Sequence, residues 1–115
     1  MKNVVIPDGK CRNLAFYLAM EEYVAKNADG EILFVWRVPP TVIIGRNQII
    51  ENEVNLDYCA RKGVEVCRRK SGGGCVYSDM GNIMISYISE RGDVSEVFDR
   101  YLSFMIESLC GLGLD

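Results

Sequence analysis

Three consecutive glycines occupy positions 72–74, between two runs of residues that favour β-strands. Each glycine loses more backbone entropy on folding than any other residue, and close approach of backbone N–H groups to a ligand is the usual compensating gain. A basic cluster, residues 68–70, lies just before the glycines, with Ser71 between them. The pattern predicts an anion site in which the glycine amides and Arg69 bind negative charge, while Asp79 and Asn82 orient the rest of the ligand.

The glycine run does not match a standard nucleotide-binding motif. A Walker A loop leads through Gly-Lys-Ser/Thr into a helix, and the dinucleotide fingerprint has spaced glycines that open a helix. Here the glycines are contiguous, and the residues that follow them favour a strand. A glycine-rich hairpin connection with charged flanks is the alternative interpretation, and the residues alone leave both open.

The length and composition indicate one globular domain, residues 1–115. Hydrophobic residues make up 49% of the chain and charged residues 25%, as in ordinary folded domains. The formal net charge of −3 implies no general affinity for nucleic acid. No apolar run approaches the roughly 18 residues of a membrane span, and residues 1–8 lack the apolar core of a signal peptide. We therefore expect a cytoplasmic protein with no membrane or nucleic-acid partner.

The chain contains no histidine, which excludes Ser-His-Asp and Cys-His catalysis and His-ligated metal sites within it. Its five cysteines form no Cys-x-x-Cys pair, so we expect free thiols and no metal site. Cys75 adjoins the glycines, and a nucleophilic thiol there is an alternative, although its base could not be histidine. The cysteines are Cys11, Cys59, Cys67, Cys75 and Cys110.

Residues 13–27 predict the first helix, with Asn13 as its N-cap. At about 100° per residue its apolar side chains share one arc, and Glu21 falls in the middle of that arc. A carboxylate at this position fits either a core-edge glutamate paired with an arginine or a ligand-facing group in a pocket wall. The helical pattern leaves both readings open.

Several β-rich runs are separated by turn residues. The first two runs are expected to pair across Pro39-Pro40, and a hairpin-like turn over residues 79–82 is expected to join the last two. Trp36, in the first run, fits a core position. The predicted strands are residues 31–38, 41–45, 64–69, 75–78 and 83–89.

Two further helices are predicted. Residues 53–62 form a short one with Gly63 as its C-terminal cap. Residues 94–110 carry apolar side chains at the spacing of an amphipathic helix, and Asp93 with Glu96 resembles a capping box. We expect this last helix to cover one face of a sheet.

Four motifs, in order, resemble the signature of lipoate–protein ligases. Residues 16–23 resemble the family's first-helix motif, with Tyr17 in place of the usual asparagine. Trp36 and Gly45-Arg46-Asn47-Gln48 follow. The glycine motif of residues 68–77 is shared with octanoyltransferases, whereas the Asp79-x-Gly81-Asn82 ending is more specific to the ligases. The resemblance covers roughly residues 12–110.

The resemblance implies an α+β fold with a mixed and antiparallel sheet flanked by helices, as in biotin and lipoate ligases and the related class II synthetases. It also implies two chemical steps. Lipoate and ATP, with Mg²⁺, give lipoyl-AMP and pyrophosphate, and the lipoyl group then passes to a lysine of a lipoyl domain. The acceptor would be a lipoyl domain of a 2-oxoacid dehydrogenase complex or the glycine cleavage H protein.

The resemblance also assigns site residues. It implies that Asp79 and Asn82 serve the phosphate and metal side, and that Ser78 stands where many relatives carry a histidine in the acyl pocket. The implied acyl pocket is bordered by Leu18, Met20, Glu21 and Trp36. The implied adenylate and ATP site comprises Arg69, Ser71, Gly72, Gly73, Gly74, Cys75 and Val76.

One family residue has no counterpart. The essential lysine, which bridges the substrate carboxylate and the α-phosphate, lies on a later strand than any predicted here. The chain is therefore expected to be the N-terminal part of a catalytic domain with an incomplete sheet, inactive alone. It could be a natural short product, a proteolytic fragment or an intentionally shortened chain.

Two alternatives to the ligase interpretation remain. One is a non-catalytic half domain that binds ligand or self-associates through an exposed sheet edge. The other is an octanoyl or lipoyl transferase. The sequence does not distinguish lipoate from octanoate as the preferred acid.

Overall fold

The computed structural model describes residues 3–5, 10–90 and 92–115. The predicted α+β class is confirmed, because helices accompany two β-sheets, both of them mixed. Residues 1–8, which lack the apolar core of a signal peptide, lie outside the described residues except for Asn3–Val5. The helices are α1 (Leu14–Asn27), α2 (Ile50–Glu53), α3 (Leu56–Lys62) and α4 (Val94–Gly111). The strands are β1 (Asn3–Val5), β2 (Ile32–Trp36), β3 (Thr41–Ile44), β4 (Glu65–Arg68), β5 (Val76–Ser78) and β6 (Met84–Ile88).

Local capping residues set several helix ends as predicted. The Asn13 side chain accepts a hydrogen bond from the Phe16 amide at 3.0 Å and so begins α1. Gly63 ends α3 in the left-handed region at φ 67°, where a glycine costs least. The single helix predicted over residues 53–62 is instead two short helices, because Val54 and Asn55 are extended and Asn55 caps α3 anew.

The strands form two separate three-stranded sheets. In the first, β2 lies in the centre, parallel to β1 and antiparallel to β6. In the second, β3 lies in the centre, parallel to β4 and antiparallel to β5. The predicted pairing of β2 with β3 is therefore wrong. Pro39 and Pro40 carry the chain from one sheet into the other, and both edges of β2 are already paired.

The predicted hairpin between β5 and β6 is also wrong. Residues 79–82 do turn the chain, and the Asn82 amide donates to the Asp79 carbonyl at 3.0 Å. However, β5 pairs with β3 and β6 pairs with β2. The turn thus connects the two sheets, as the proline segment does.

The core lies between α1 and the two sheets. Leu14 and Tyr17 come from α1, Phe34 and Trp36 from β2, and Ile43 from β3. The Tyr17 and Trp36 rings are stacked with their centroids 4.7 Å apart, a geometry that stabilises beyond the area buried. Trp36 is therefore a core residue, and its position fixes β2 against α1.

Helix α4 forms as predicted but does not cover a sheet face. None of its residues is buried. It contacts the first sheet through the Tyr101 ring, 5.7 Å from that of Tyr87, and through an Arg100–Glu31 ion pair of 3.0 Å. The Asp93 side chain makes no capping hydrogen bond, so the predicted capping box is also wrong.

Among the described residues, no helix combines the length and apolar character that crossing a membrane requires.

Candidate functional site

The glycine loop, defined here as residues 69–75, joins β4 to β5. Both strands pair with β3, so the loop is held at the end of the second sheet. The Arg69 amide donates to the Ile44 carbonyl, and the Arg46 amide donates to the Ser71 carbonyl, each at 2.9 Å. The loop is therefore tied by its backbone to the chain that leaves β3.

The Arg69 guanidinium holds the glycine loop from within. Its Nη2 donates to the carbonyl oxygens of Gly72 and Gly74, both at 2.7 Å, and its Nη1 donates to that of Ile43 at 3.4 Å. Charged donors make stronger hydrogen bonds than neutral ones. Arg69 thus shapes the loop, a role that the sequence pattern did not indicate beside its predicted anion contact.

Arg68 binds the neighbouring turn, residues 45–48. Its Nη1 donates to three carbonyl oxygens of that turn: Gly45 at 2.9 Å, Arg46 at 3.2 Å and Gln48 at 2.6 Å. The Gln48 side chain in turn accepts from the Gly45 amide at 2.8 Å. The two arginines before the glycines therefore fix two different segments of backbone.

Gly45 and Gly73 bring these two segments into backbone contact. A Cβ atom at position 45 would lie 2.1 Å from the Gly73 carbonyl oxygen, well inside contact distance. Gly73 itself has φ 93°, in a region that other residues rarely adopt. Glycine is thus required at position 45 for close packing and at position 73 for its backbone conformation.

A groove of about 1050 Å³ runs between α1, the two sheets and the glycine loop. Arg69, Lys70 and Ser71 lie at the glycine-loop end, while the rest of the surface is mainly apolar. The predicted site residues in its lining are Leu18, Glu21, Trp36, Arg69, Ser71 and Val76. Its other main lining residues are Leu14, Ile43, Cys67, Met84, Ser86 and Ile88.

The other predicted site residues lie outside the lining. Met20 is partly buried on α1, against the core. Ser78 is buried in β5, and its hydroxyl donates to the Met84 sulfur at 3.6 Å. Gly72, Gly73, Gly74 and Cys75 lie in the glycine loop, and Asp79 and Asn82 in the turn after β5. The structure therefore brings six of the predicted residues together in one groove and leaves the other eight outside its lining.

Glu21 faces the groove and accepts a hydrogen bond from Ser86. The Ser86 hydroxyl donates to Glu21 Oε1, and the Trp36 indole Nε1–H donates to the Ser86 oxygen at 2.8 Å. The pocket-wall reading of Glu21 thus fits the structure, whereas its partner is a serine and not an arginine. Ser86 was not singled out from the sequence, since a serine within a strand pattern carries no distinctive signal.

Glu22, the next residue of α1, pairs with two lysines. Lys26 Nζ and Lys70 Nζ each lie 2.7 Å from a Glu22 carboxylate oxygen. Their hydrogen bonds lower the pKa of Glu22 to about 2. The Lys70 pair links the glycine loop to α1 across the groove, but both side chains are largely exposed, so its strength is modest.

Asp79 and Asn82 build the turn after β5. Asp79 Oδ1 accepts from the Gly81 amide at 2.8 Å, and Oδ2 accepts from the Tyr77 hydroxyl at 3.2 Å. Asn82 Oδ1 accepts from the Asp79 amide at 3.1 Å. These are the local contacts typical of Asx turns, and they fix both side chains against the backbone of the turn.

The five cysteines are free thiols, as expected. Burial raises the pKa of the Cys67 thiol, with the Glu65 charge adding to the effect, so Cys67 contributes a neutral side chain to the groove wall. Within the part of the chain that the structure describes, no three cysteine, aspartate or glutamate residues come together to hold a metal ion.

The comparisons with known proteins converge on one family. Residues 13–115 match the model of the lipoyl protein ligase A/B catalytic domain. Lipoate-protein ligase LplJ of Bacillus subtilis is 40% identical over 101 residues, which cover 85% of this chain and 30% of that protein. The chain therefore spans less than a third of this curated relative.

Two solved structures share the fold. A T. acidophilum protein with bound lipoic acid superposes with a TM-score of 0.82 at 33% identity, covering all of this chain and 49% of that one. Lipoate-protein ligase A bound with ATP superposes with a TM-score of 0.79 at 34% identity, covering 97% of this chain and 46% of that one.

Proposed function

The chain belongs to the lipoyl protein ligase A/B catalytic domain family, and on that premise we propose that it is the lipoate- and adenylate-binding part of a lipoate–protein ligase. In the first step a lipoate carboxylate oxygen attacks the α-phosphorus of ATP, and the bond to pyrophosphate breaks. In the second, a lysine amine attacks the lipoyl carbonyl, the bond to AMP breaks, and the amine proton is lost to solvent.

One observation carries this proposal: a single groove has mainly apolar walls and a cationic end at the glycine loop. An eight-carbon acid with a dithiolane ring suits such walls, and its carboxylate suits the Arg69 end. The volume of about 1050 Å³ lies at the top of the roughly 300–1000 Å³ range of ligand pockets, so it has room for an acyl-adenylate. The solved relatives with lipoic acid and with ATP support the same ligands here.

The proposed roles follow the position of each residue along the groove. Leu18, Glu21 and Trp36 contact the acyl chain, with Met20 and Ser78 supporting that wall from behind. Arg69 and Ser71 face the carboxylate and the α-phosphate, since a guanidinium has five N–H donors and Arg69 uses only three of them, on the backbone carbonyls of Ile43, Gly72 and Gly74. The adenylate lies along the remaining glycine-loop residues, Gly72, Gly73, Gly74, Cys75 and Val76.

Asp79 and Asn82 suit the metal side of a MgATP substrate. Magnesium is usually held by one or two carboxylates together with substrate phosphates. Asp79 supplies one carboxylate whose oxygens each accept one hydrogen bond, which leaves lone pairs for a cation. Asn82 is held beside it by the Asp79 amide. The ion would arrive with ATP and be held chiefly by the phosphates.

The acceptor in this proposal is a lysine on a lipoyl domain, either of a 2-oxoacid dehydrogenase complex or of glycine cleavage H protein, in the cytoplasm.

The negative charge that develops between the carboxylate and the α-phosphate in the transition state is stabilised by a cation already positioned there. The family's lysine on a later strand would supply it. Self-association through a sheet edge belongs to the same proposal, since among the described residues the outer strands of both sheets are paired on one side only.

The proposal is tested by separating binding from turnover on the 115-residue chain. We expect calorimetry to detect binding of lipoate and of a non-reactive sulfamoyl analogue of lipoyl-AMP. We expect mass spectrometry to detect no lipoyl-AMP from lipoate and MgATP, because the family's lysine has no counterpart on the predicted strands and the lysine of the groove, Lys70, is paired with Glu22. AMP without the acyl group serves as the control ligand, and it should bind more weakly than the analogue.

Two results would count against this assignment in different ways. No binding of either lipoate or the analogue would overturn the proposed function. Robust lipoyl-AMP formation by the chain alone would overturn the role given to the missing lysine while leaving the ligand site in place.

A further inference from the structure

A row of three hydrogen-bonded side chains crosses the wall of the groove. The row joins Trp36 on β2 to Ser86 on β6 and Ser86 to Glu21 on α1. An indole N–H can only donate, so the Ser86 oxygen accepts from it, and the hydroxyl proton remains for Glu21. The direction of the row therefore leaves Glu21 Oε1 as the final acceptor.

Two members of the row, Trp36 and Ser86, are fixed by burial. Trp36 is 5% exposed and Ser86 7% exposed, and Trp36 also stacks on Tyr17. Glu21 is only partly buried, and it lines the groove. Its carboxylate is thus attached at one oxygen to a rigid support, while the side chain borders the space available to a ligand.

Glu21 forms no ion pair with any of the described residues. The ion pairs of α1 are made by its neighbour Glu22, with Lys26 and Lys70. Arg100 pairs with Glu31. The groove wall therefore presents a carboxylate whose described partner is a neutral hydroxyl, among otherwise mainly apolar side chains.

We propose that Ser86 is a positioning residue that holds the Glu21 carboxylate in the groove wall, and that this carboxylate makes the groove reject acids carrying a second negative charge. The inference rests on the proposed function, in that the groove takes the acyl chain of a carboxylic acid. The reactive carboxylate of such an acid lies at the Arg69 end. A second carboxylate on the acyl chain would meet Glu21 in a site of low dielectric constant, where like charges repel strongly.

The test compares two acids of equal chain length: octanoate, with one carboxylate, and suberate, with two. Calorimetry gives the ratio of their affinities for the wild-type chain and for Ser86→Ala, Ser86→Thr and Glu21→Gln. Ser103→Ala, on the exposed side of α4, is the matched serine control. The chain has one tryptophan, so the single indole N–H resonance reports on the Trp36–Ser86 bond without any ligand.

We expect wild type to prefer octanoate, and Ser86→Ala and Glu21→Gln to reduce that preference by about fivefold or more. Ser86→Thr, which keeps the hydroxyl, should restore it, and Ser103→Ala should leave it unchanged. The indole resonance should shift in Ser86→Ala and to a smaller extent in Glu21→Gln, but not in Ser103→Ala. A purely structural serine would change stability without changing the ratio.

Each contrary result has a distinct meaning. An unchanged affinity ratio in both Ser86→Ala and Glu21→Gln would overturn the inference. If wild type binds neither acid, both the proposed function and the selectivity fail. In that case the indole resonance decides about the positioning role. If Glu21→Gln does not shift the resonance, the positioning role is refuted as well; if Glu21→Gln does shift it, only the positioning role stands.

Discussion

Replacing Gly45 by alanine is expected to lower the midpoint of thermal unfolding by about 4–24 °C, because overpacking costs roughly 1–3 kcal/mol and each kcal/mol shifts a domain of this size by about 4–8 °C. The added Cβ would lie 2.1 Å from the Gly73 carbonyl oxygen. Backbone cannot rotate out of the way as a side chain can. The turn at residues 45–48 and the glycine loop would have to separate, with loss of the bond between the Arg46 amide and the Ser71 carbonyl.

The chain offers matched controls for this prediction. A Cβ at Gly72 or Gly74 would meet nothing within 4 Å, and neither glycine has a positive φ. Gly72→Ala and Gly74→Ala should therefore unfold within a few degrees of wild type. If Gly45→Ala is as stable as these two variants by calorimetric scanning, the close backbone contact is not a feature of the folded chain in solution.

Arg69→Ala is expected to weaken binding of the sulfamoyl analogue of lipoyl-AMP by about a hundredfold or more, the usual loss when a preorganised charged or polar contact is removed. The substitution removes a cation from the groove. It also removes the donors that hold the carbonyl oxygens of Gly72 and Gly74. The ligand thus loses both a direct partner and the fixed shape of the glycine loop.

The Arg69 variants separate these two contributions. Arg69→Lys keeps the charge but cannot reproduce the two-carbonyl clamp of a planar guanidinium, so it should recover binding only partly. Arg61→Ala, on the far side of α3, removes an exposed arginine bonded to a carbonyl of its own helix and should bind normally. Full affinity in Arg69→Ala would contradict the assignment of this residue to the ligand site.

The helix ends and the glycine loop, which the sequence predicted correctly, are determined by patterns only a few residues long. Asn13 and Gly63 cap helices through contacts within one turn, so the local pattern is sufficient. The glycine run predicted a constrained loop at a sheet end for the same reason. The family resemblance added the residues of the acyl pocket, of which Leu18, Glu21 and Trp36 do line the groove.

The predictions that were wrong depend on partners distant in the sequence. The runs on either side of the prolines looked like neighbours, yet β2 pairs with β6 and β3 with β4 and β5. Whether adjacent strands pair is decided by where the chain turns between sheets, which short-range patterns do not encode. The clamp made by Arg69 and the bond from Ser86 to Glu21 were missed likewise, because each joins groups that only folding brings together.

The central strand of the first sheet also sets the order in which the chain can fold. Trp36 and its partner Ser86 are 50 positions apart, so β2 cannot pair with β6 until the whole segment between them has been synthesised. Closing so long a loop costs entropy before any contact repays it. We expect Trp36 fluorescence in stopped-flow refolding to change on the order of milliseconds to seconds, well after the microseconds in which an isolated α1 could form. A microsecond change in that signal would mean that Trp36 reaches its final surroundings without β6.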